Sequence, residues 1–396
     1  RRPESAMAAT SSNPLRLLND LRVRAVLYQV VAVVLVVGVG LYLFGNVSRK
    51  LAEQNIATGF AYLDRPAGFV ISQSFIAYDS SNSYARALLV GILNTVFVSI
   101  FAVLLSTVLG LVVGIARLSR NPMLSLLAKL YVEALRNVPL LLYLFLWYAL
   151  IVTVFPPVRE AWQPIPEVFV SNGGLIVPSL RWSPAHSGVL LAALAGVVLA
   201  FVVAGRLRRR RVATGIERRS WPLVLAALLI PPLLAAILLQ PDLVVNWPEK
   251  GRFRITGGLQ VTPEFTALLV GLGLSASAGI AEIVRAGILS VGRGQWEASR
   301  SVGLRDGQTM RLVVLPQALR VIVPPLTSSY LSTFKNSSLA IAIGYPDLVM
   351  VSNTTMNQTG QAIEGIAIFM LVYLGMSITI SLFMNWYNAR VALVER

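Results

Sequence analysis

Cysteine is absent and histidine occurs once, at His186. Disulfides, thiolate-ligated zinc and cysteine nucleophiles are therefore excluded. His186 follows Pro184 in an expected loop, a setting that suits a surface side chain better than a metal ligand. Charge is scarce too: 13% of residues are charged against 56% hydrophobic. A soluble domain carries about a quarter charged residues, so the direct reading is a multi-span membrane protein. No GxxxxGK[ST] run occurs, so the chain has no phosphate loop for ATP chemistry. No stretch between the apolar runs is large enough for a substrate-capturing domain.

The charge that is present is lopsided, with 34 Lys and Arg against 18 Asp and Glu, a net of +16. Such a balance can signal nucleic acid. Here the basic residues stand in short loops between apolar runs, which is the positive-inside pattern, so no nucleic-acid partner is expected. The first apolar run, Ala25 to Phe44, follows Arg22 and Arg24 and is long enough to span a bilayer. Asn46-Val47-Ser48-Arg49 offers no cleavage site, so a retained span is expected rather than a signal peptide. Arg1-Arg2 is too isolated for a twin-arginine signal, and the missing initiator methionine suggests a processed or truncated start.

Further runs lie at Ala85–Ile115, Leu124–Phe155, Val189–Gly205, Pro222–Leu239, Glu264–Leu289, Leu312–Thr333 and Ile363–Tyr387. About eight spans follow, at about 20 residues each. Arg117 and Arg120, the Arg206–Arg219 cluster, the group Arg293, Arg300, Arg305 and Arg311, and finally Arg390 and Arg396 then share one side with the N-terminus. That side reads as cytoplasmic. The opposite loops are rich in Pro, Gly, Trp and Ser, as at Pro156-Pro157, Gly173-Gly174, Trp247-Pro248 and Gly257-Gly258. The Arg206–Arg219 cluster is an orientation signal that can also meet anionic membrane lipid.

Between the sixth and seventh runs lies a polar, helix-friendly segment: Glu297-Ala298-Ser299, then Gly303, then Val313-Val314-Leu315-Pro316. Small residues with one acid make a helix face that can sit in another protein's groove, and Glu297 can accept charge-assisted bonds there. Gly303 can end the helix at positive φ. Leu315-Pro316 then opens the next span, where proline is tolerated in the first turn. Glu133 and Arg136 stand at i, i+3 on one helix face, and Glu282 and Arg285 repeat that spacing. Ionisable groups at such depth suit either structural ion pairs or a gate facing a cavity. Lys335, Asn336, Ser337 and Ser338 follow a run containing Pro324-Pro325, which frees backbone carbonyls. They offer polar groups to a substrate or mark an outer helix end with a snorkelling lysine.

Several segments together resemble the polar amino-acid branch of ABC importer permeases. They are Asn94-Thr95, Gly110 to Ser119 (GLVVGIARLS), Tyr131 to Leu141, Ala281 to Gly287 (AEIVRAG), Gly294 to Leu304 (GQWEASRSVGL) and Leu315 to Arg320. The 294–316 loop is similar to the family's "EAA" loop, with Ser299 in place of the second alanine. The resemblance implies an all-α, type I ABC importer permease fold with a five-helix core in about eight spans. It divides the chain into 1–24, a cytoplasmic segment, and 25–84, the first span and an extracytoplasmic loop. Residues 85–155 are the first part of the core, 156–262 an inserted helix pair with a basic loop, and 263–396 the rest of the core. The insertion, with Lys335 to Ser338 and Ile343 to Asp347, looks like the larger subunit of general L-amino-acid importers of the glutamate, glutamine, aspartate and asparagine type.

That resemblance implies ATPase coupling through Glu297, Ala298, Ser299, Gly303, Leu315 and Pro316. It implies a substrate path touching Asn94, Thr95, Lys335, Asn336, Ser337 and Ser338. In many relatives an aspartate stands at the position of Asn336, and its loss removes a reason to prefer cationic substrates. Partners implied are ABC ATPase subunits holding ATP and Mg, a different and shorter second permease, and a periplasmic amino-acid-binding protein. The chain itself is expected to hold no catalytic residue, metal or cofactor, in a bacterial inner membrane with both termini cytoplasmic. An ion-gradient-driven secondary amino-acid transporter is the alternative, though it gives the 294–316 loop no task.

Overall fold

The computed structural model describes residues 21–53, 58–181, 183–214, 221–251 and 254–391. Arg1-Arg2, most of the 1–24 segment, Arg218, Arg219 and Arg396 lie outside the described residues. Long helices dominate: α1 (Leu21–Glu53), α2 (Tyr84–Ala116), α3 (Pro122–Arg136), α4 (Leu140–Val154), α5 (Pro184–Thr214), α6 (Trp221–Leu239) and α7 (Pro263–Leu289). Then come α8 (Arg293–Ser301), α9 (Asp306–Thr309), α10 (Leu315–Asn336), α11 (Leu348–Thr359) and α12 (Ala362–Val391). Seven described helices are long and apolar enough to cross a membrane, or eight with α3 and α4 counted as one span.

The run expected as one span over Leu124–Phe155 is two helices bent by 102°. Asn137-Val138-Pro139 forms the break. Pro139 cannot donate to the α3 ladder, and it disfavours helical backbone at Val138. The helical run expected to open at Leu315-Pro316 opens earlier, at Asp306. A π turn over Met310–Val314 carries it into α10, with the Leu315 amide donating to the Met310 carbonyl. The wider turn lets the helix pass Pro316, whose ring would otherwise crowd the carbonyl four residues back.

α2 and α7 form the central pair. Gly110 and Gly114 of α2 face Ser277, Ile280, Ala281 and Val284 of α7. A Cβ on Gly110 would stand 2.6 Å from Ile280 Cβ, and one on Gly114 would stand 2.8 Å from the Ala281 carbonyl oxygen. The G-L-V-V-G spacing is thus a small-residue seam that lets two backbones touch, as membrane helices require in place of a hydrophobic driving force. Ala278 and Ala281 are fully buried there. Tyr131 Oη and Ser277 Oγ, 2.7 Å apart, fasten α3 to the same face of α7.

At the far end from α8, the loops rich in Pro and Gly are not irregular. Strands β1 (Trp162–Ile165), β2 (Val168–Ser171), β3 (Gly174–Val177) and β8 (Leu259–Val261) pair antiparallel in that order. β4 (Ser179–Leu180) pairs β5 (Val245–Asn246), and β6 (Glu249–Lys250) pairs β7 (Ile255–Thr256). Asn172-Gly173 between two β-branched runs is a hairpin signal. α5 leaves this sheet region and α6 returns to it, packed on α5; a Cβ on Gly196 would stand 2.6 Å from the Leu228 carbonyl oxygen.

Candidate functional site

The 294–316 segment is a built element. α8 is nine residues long, too short to hold its shape alone in water. Trp296 anchors it by packing against a buried cluster that includes Val291, Val314, Ala318 and Ile322. Gln317 Nε2 donates to Gln295 Oε1 at 3.2 Å, joining α10 to α8. The exit is a glycine cap. Gly303 has φ +84°, its amide donates to the Arg300 carbonyl at 2.9 Å, and the Leu304 amide reaches the Ser299 carbonyl at 3.1 Å. Asp306 then accepts from Arg300 at 3.3 Å and from Arg120, past the end of α2, at 3.5 Å.

Outward, α8 presents Glu297, Ala298 and Ser301, with Val302 81% exposed at its end. Ser299 faces inward instead: it is buried and donates to the Trp296 carbonyl at 2.8 Å. Leu315 is partly exposed and Pro316 half-buried beside the π turn. Trp296, Gln317 and the Arg300–Asp306–Arg120 link escape a motif reading because their partners lie on other elements. The one signal in the chain itself was a large indole in an otherwise polar, small-residue segment.

The two i, i+3 pairs fare differently. Glu282 holds Arg285 at 2.6 Å and also pairs with Arg117 from beyond α2. Glu133 does not pair with Arg136; it reaches one turn back to Lys129 at 3.7 Å. Arg136, at the α3–α4 bend, lines a cavity with Glu282 instead.

Asn94 and Thr95 are fully buried clips. Asn94 Nδ2 donates to the carbonyls of Gln73 and Pro346, each at 2.8 Å. Thr95 Oγ1 donates to the Gly91 carbonyl at 2.9 Å and accepts from the Leu348 amide at 3.0 Å. That amide opens α11, a helix missed in the sequence because its residues are polar, although Asp347 caps its start and Gly360, at φ +73°, ends it. Ser337 is buried and turns back to the Phe334 carbonyl, as Ser338 does to that of Lys335. Lys335 is exposed and Asn336 half-buried at the end of α10. Among the described residues neither side chain has a partner.

Residues 196–393 match the family described as "Binding-protein-dependent transport system inner membrane component". YhdX of Escherichia coli (strain K12) is 46% identical over 375 residues, 94% of this chain and 95% of that one. The general L-amino acid transport system permease protein AapQ of Rhizobium johnstonii is 43% identical over 95% of this chain and 94% of its own. The glutamate/glutamine/aspartate/asparagine transport system permease protein BztB of Rhodobacter capsulatus is 38% identical over 96% of each. A carrier driven by an ion gradient finds no support in this family. The chain therefore belongs to the inner-membrane components of binding-protein-dependent transport systems, and it is a multi-pass permease subunit of an amino-acid ABC importer rather than an enzyme.

Proposed function

We propose that this chain forms half of the translocation pathway for acidic amino acids and their amides. ATP and Mg are bound and used in separate ATPase subunits, which dock on α8. A second, different and shorter permease completes the path, and a periplasmic binding protein delivers the substrate. The chain lies in a bacterial inner membrane with α8 on the cytoplasmic side. The observation that carries this reading is α8 itself: a short helix, rigidly anchored by Trp296 and capped by Gly303, whose outward face is small and bears one acid. Such an element transmits force without bending. ATP binding in the partners moves α8, and the core follows through α10 and the Asp306 link. The ATPase must bind the two pore states with different affinity for this to work.

The narrower substrate class is supported by the full-length similarity to the permease named for glutamate, glutamine, aspartate and asparagine. Lys335 and Asn336 are the path candidates whose polar atoms remain available, so selectivity is assigned to them before Asn94 and Thr95. The test is purification of the tagged chain from its native membrane. An ATPase should accompany it, and vesicles of the complex with the binding protein should take up glutamate and glutamine only with ATP inside. Uptake without ATP, or a chain purified alone, would overturn the reading.

A further inference from the structure

A cavity of about 270 Å³ opens where the α3–α4 bend meets α7 and α10. Arg136, Gly279, Glu282, Val321 and Pro325 are on its wall. At about 30 Å³ per water, that volume has room for one amino acid with some solvent. It is distinct from the Lys335 end of α10, which is about 15–21 Å away along the helix at 1.5 Å per residue.

The wall has three unusual polar features. Among the described residues, no acid pairs with Arg136. Glu282, the acid on the wall, is held from behind by Arg117 and Arg285, neither of which lines the cavity. Pro324 and Pro325 remove the amide donors three and four residues after Val321, so the Val321 carbonyl has neither of its ordinary helical partners. An unpaired cation, a held acid and the residue with the freed carbonyl thus border one small space.

Gly279 adds a fourth observation. The glycines that pack α7 against its neighbours leave no room for a side chain: a Cβ on Gly287 would run into Ile322. A Cβ on Gly279 would meet nothing within 4 Å. Packing does not require glycine at 279, yet glycine there keeps the cavity open.

We propose that this cavity is a binding station for the backbone of the transported amino acid. Arg136 takes the carboxylate by paired N–H bonds, the geometry in which guanidinium is strongest. The Val321 carbonyl and the Glu282 carboxylate take the ammonium. Arg117 and Arg285 behind Glu282 add positive charge near the station, which disfavours a cationic side chain and accepts an acidic or amide one. The proposal rests on the transport reading above and deepens it, adding a station on the α8 side of the path.

The test uses vesicles of the whole transporter, purified through this chain, with saturating binding protein loaded with radiolabelled L-glutamate or L-glutamine. Both uptake and ATP hydrolysis are measured. Arg136→Gln should lower the amino acid delivered per ATP by tenfold or more while hydrolysis continues, and Arg136→Lys should restore part of it. Gly279→Leu, which fills the cavity from open space, should give the same uncoupling in a complex that still co-purifies. Unchanged delivery per ATP in both Arg136→Gln and Gly279→Leu would overturn the station, as would uptake and hydrolysis falling in strict proportion. If wild-type vesicles move neither amino acid, the transport reading itself fails and the station falls with it. If wild type transports and the variants match it, only the station fails.

Discussion

Single residues on and just past α8, and at the end of α10, carry the sharpest consequences. Gly303 sits at φ +84° with open space around its missing side chain, so conformation alone sets the cost of replacing it. Left-handed backbone costs an ordinary residue about 1–2 kcal/mol, more for a β-branched one, while asparagine adopts it readily. Gly303→Val should therefore fray the end of α8 and abolish ATP-driven uptake in vesicles, whereas Gly303→Asn should retain most of it; equal loss in both would mean that space, not φ, matters there. Glu297 is exposed and aimed outward, so Glu297→Lys should leave insertion intact and weaken coupling by about 2–5 kcal/mol, as reversal at a charge-assisted interface does. Normal uptake by that variant would remove Glu297 from the docking face. Lys335 lies in the last turn of α10, where a cation also complements the helix dipole. Two unit charges about 4 Å apart interact by roughly 4 kcal/mol at an effective dielectric near 20, before desolvation takes its share. Lys335→Ala and Asn336→Asp should each weaken glutamate transport more than glutamine transport, with up to about a hundredfold change in the ratio. Competition assays with one binding protein throughout check this, and unchanged ratios in both variants would reduce the segment to a helix end.

Among the helices, the α2–α7 seam gives the core the close packing that the proposed rocking as a unit requires. Gly110 and Gly114 bring two backbones into contact, and overpacking such a seam costs about 1–3 kcal/mol. Gly110→Val should accordingly lower the thermal unfolding temperature of the purified complex, while Gly40→Val in α1, where a Cβ meets nothing within 4 Å, should not. A fall in both would point to glycine's general effect on helices instead of the seam. The same contrast shows what the sequence could disclose. Long apolar runs gave away nearly every spanning helix because a bilayer demands length and hydropathy. α8 and its cap were legible because glycine, proline and small residues at fixed spacing have local causes. The α3–α4 bend was not, since an apolar run reads as continuous and only Pro139 betrays the break. α11 and the four-stranded sheet were hidden for a different reason. Their stability comes from distant partners, such as Thr95 on the Leu348 amide and β8 returning to β3 across the inserted helices. Glu133 shows the limit for side chains, for spacing permits a pair with either Arg136 or Lys129 and cannot choose between them.

For the whole molecule, the contacts sort the loops into two ends without reference to charge. Arg120 beyond α2 meets Asp306 beyond α8, and Arg117 meets Glu282 near the end of α7, so these loops share one end. The sheet joins segments that precede α5 and α7 and follow α4 and α6, so it lies at the other. The basic residues concentrate at the first end, where Arg206, Arg209, Arg210 and Arg211 also close α5. Positive loops are retained on the cytoplasmic side, and an ATPase can reach α8 only there. With the proposed docking, both demands predict one orientation: α8 inside, the sheet outside with exposed Trp162 and Trp247. The absence of cysteine makes this directly measurable, because a single introduced thiol is the only one in the chain. Gln163→Cys, on the exposed edge strand β1, should react with a membrane-impermeant maleimide applied to spheroplasts. Arg120→Cys and Arg300→Cys should react only after the membrane is permeabilised. The opposite pattern would turn the molecule over, and it would strand α8 on the side where no ATP is available.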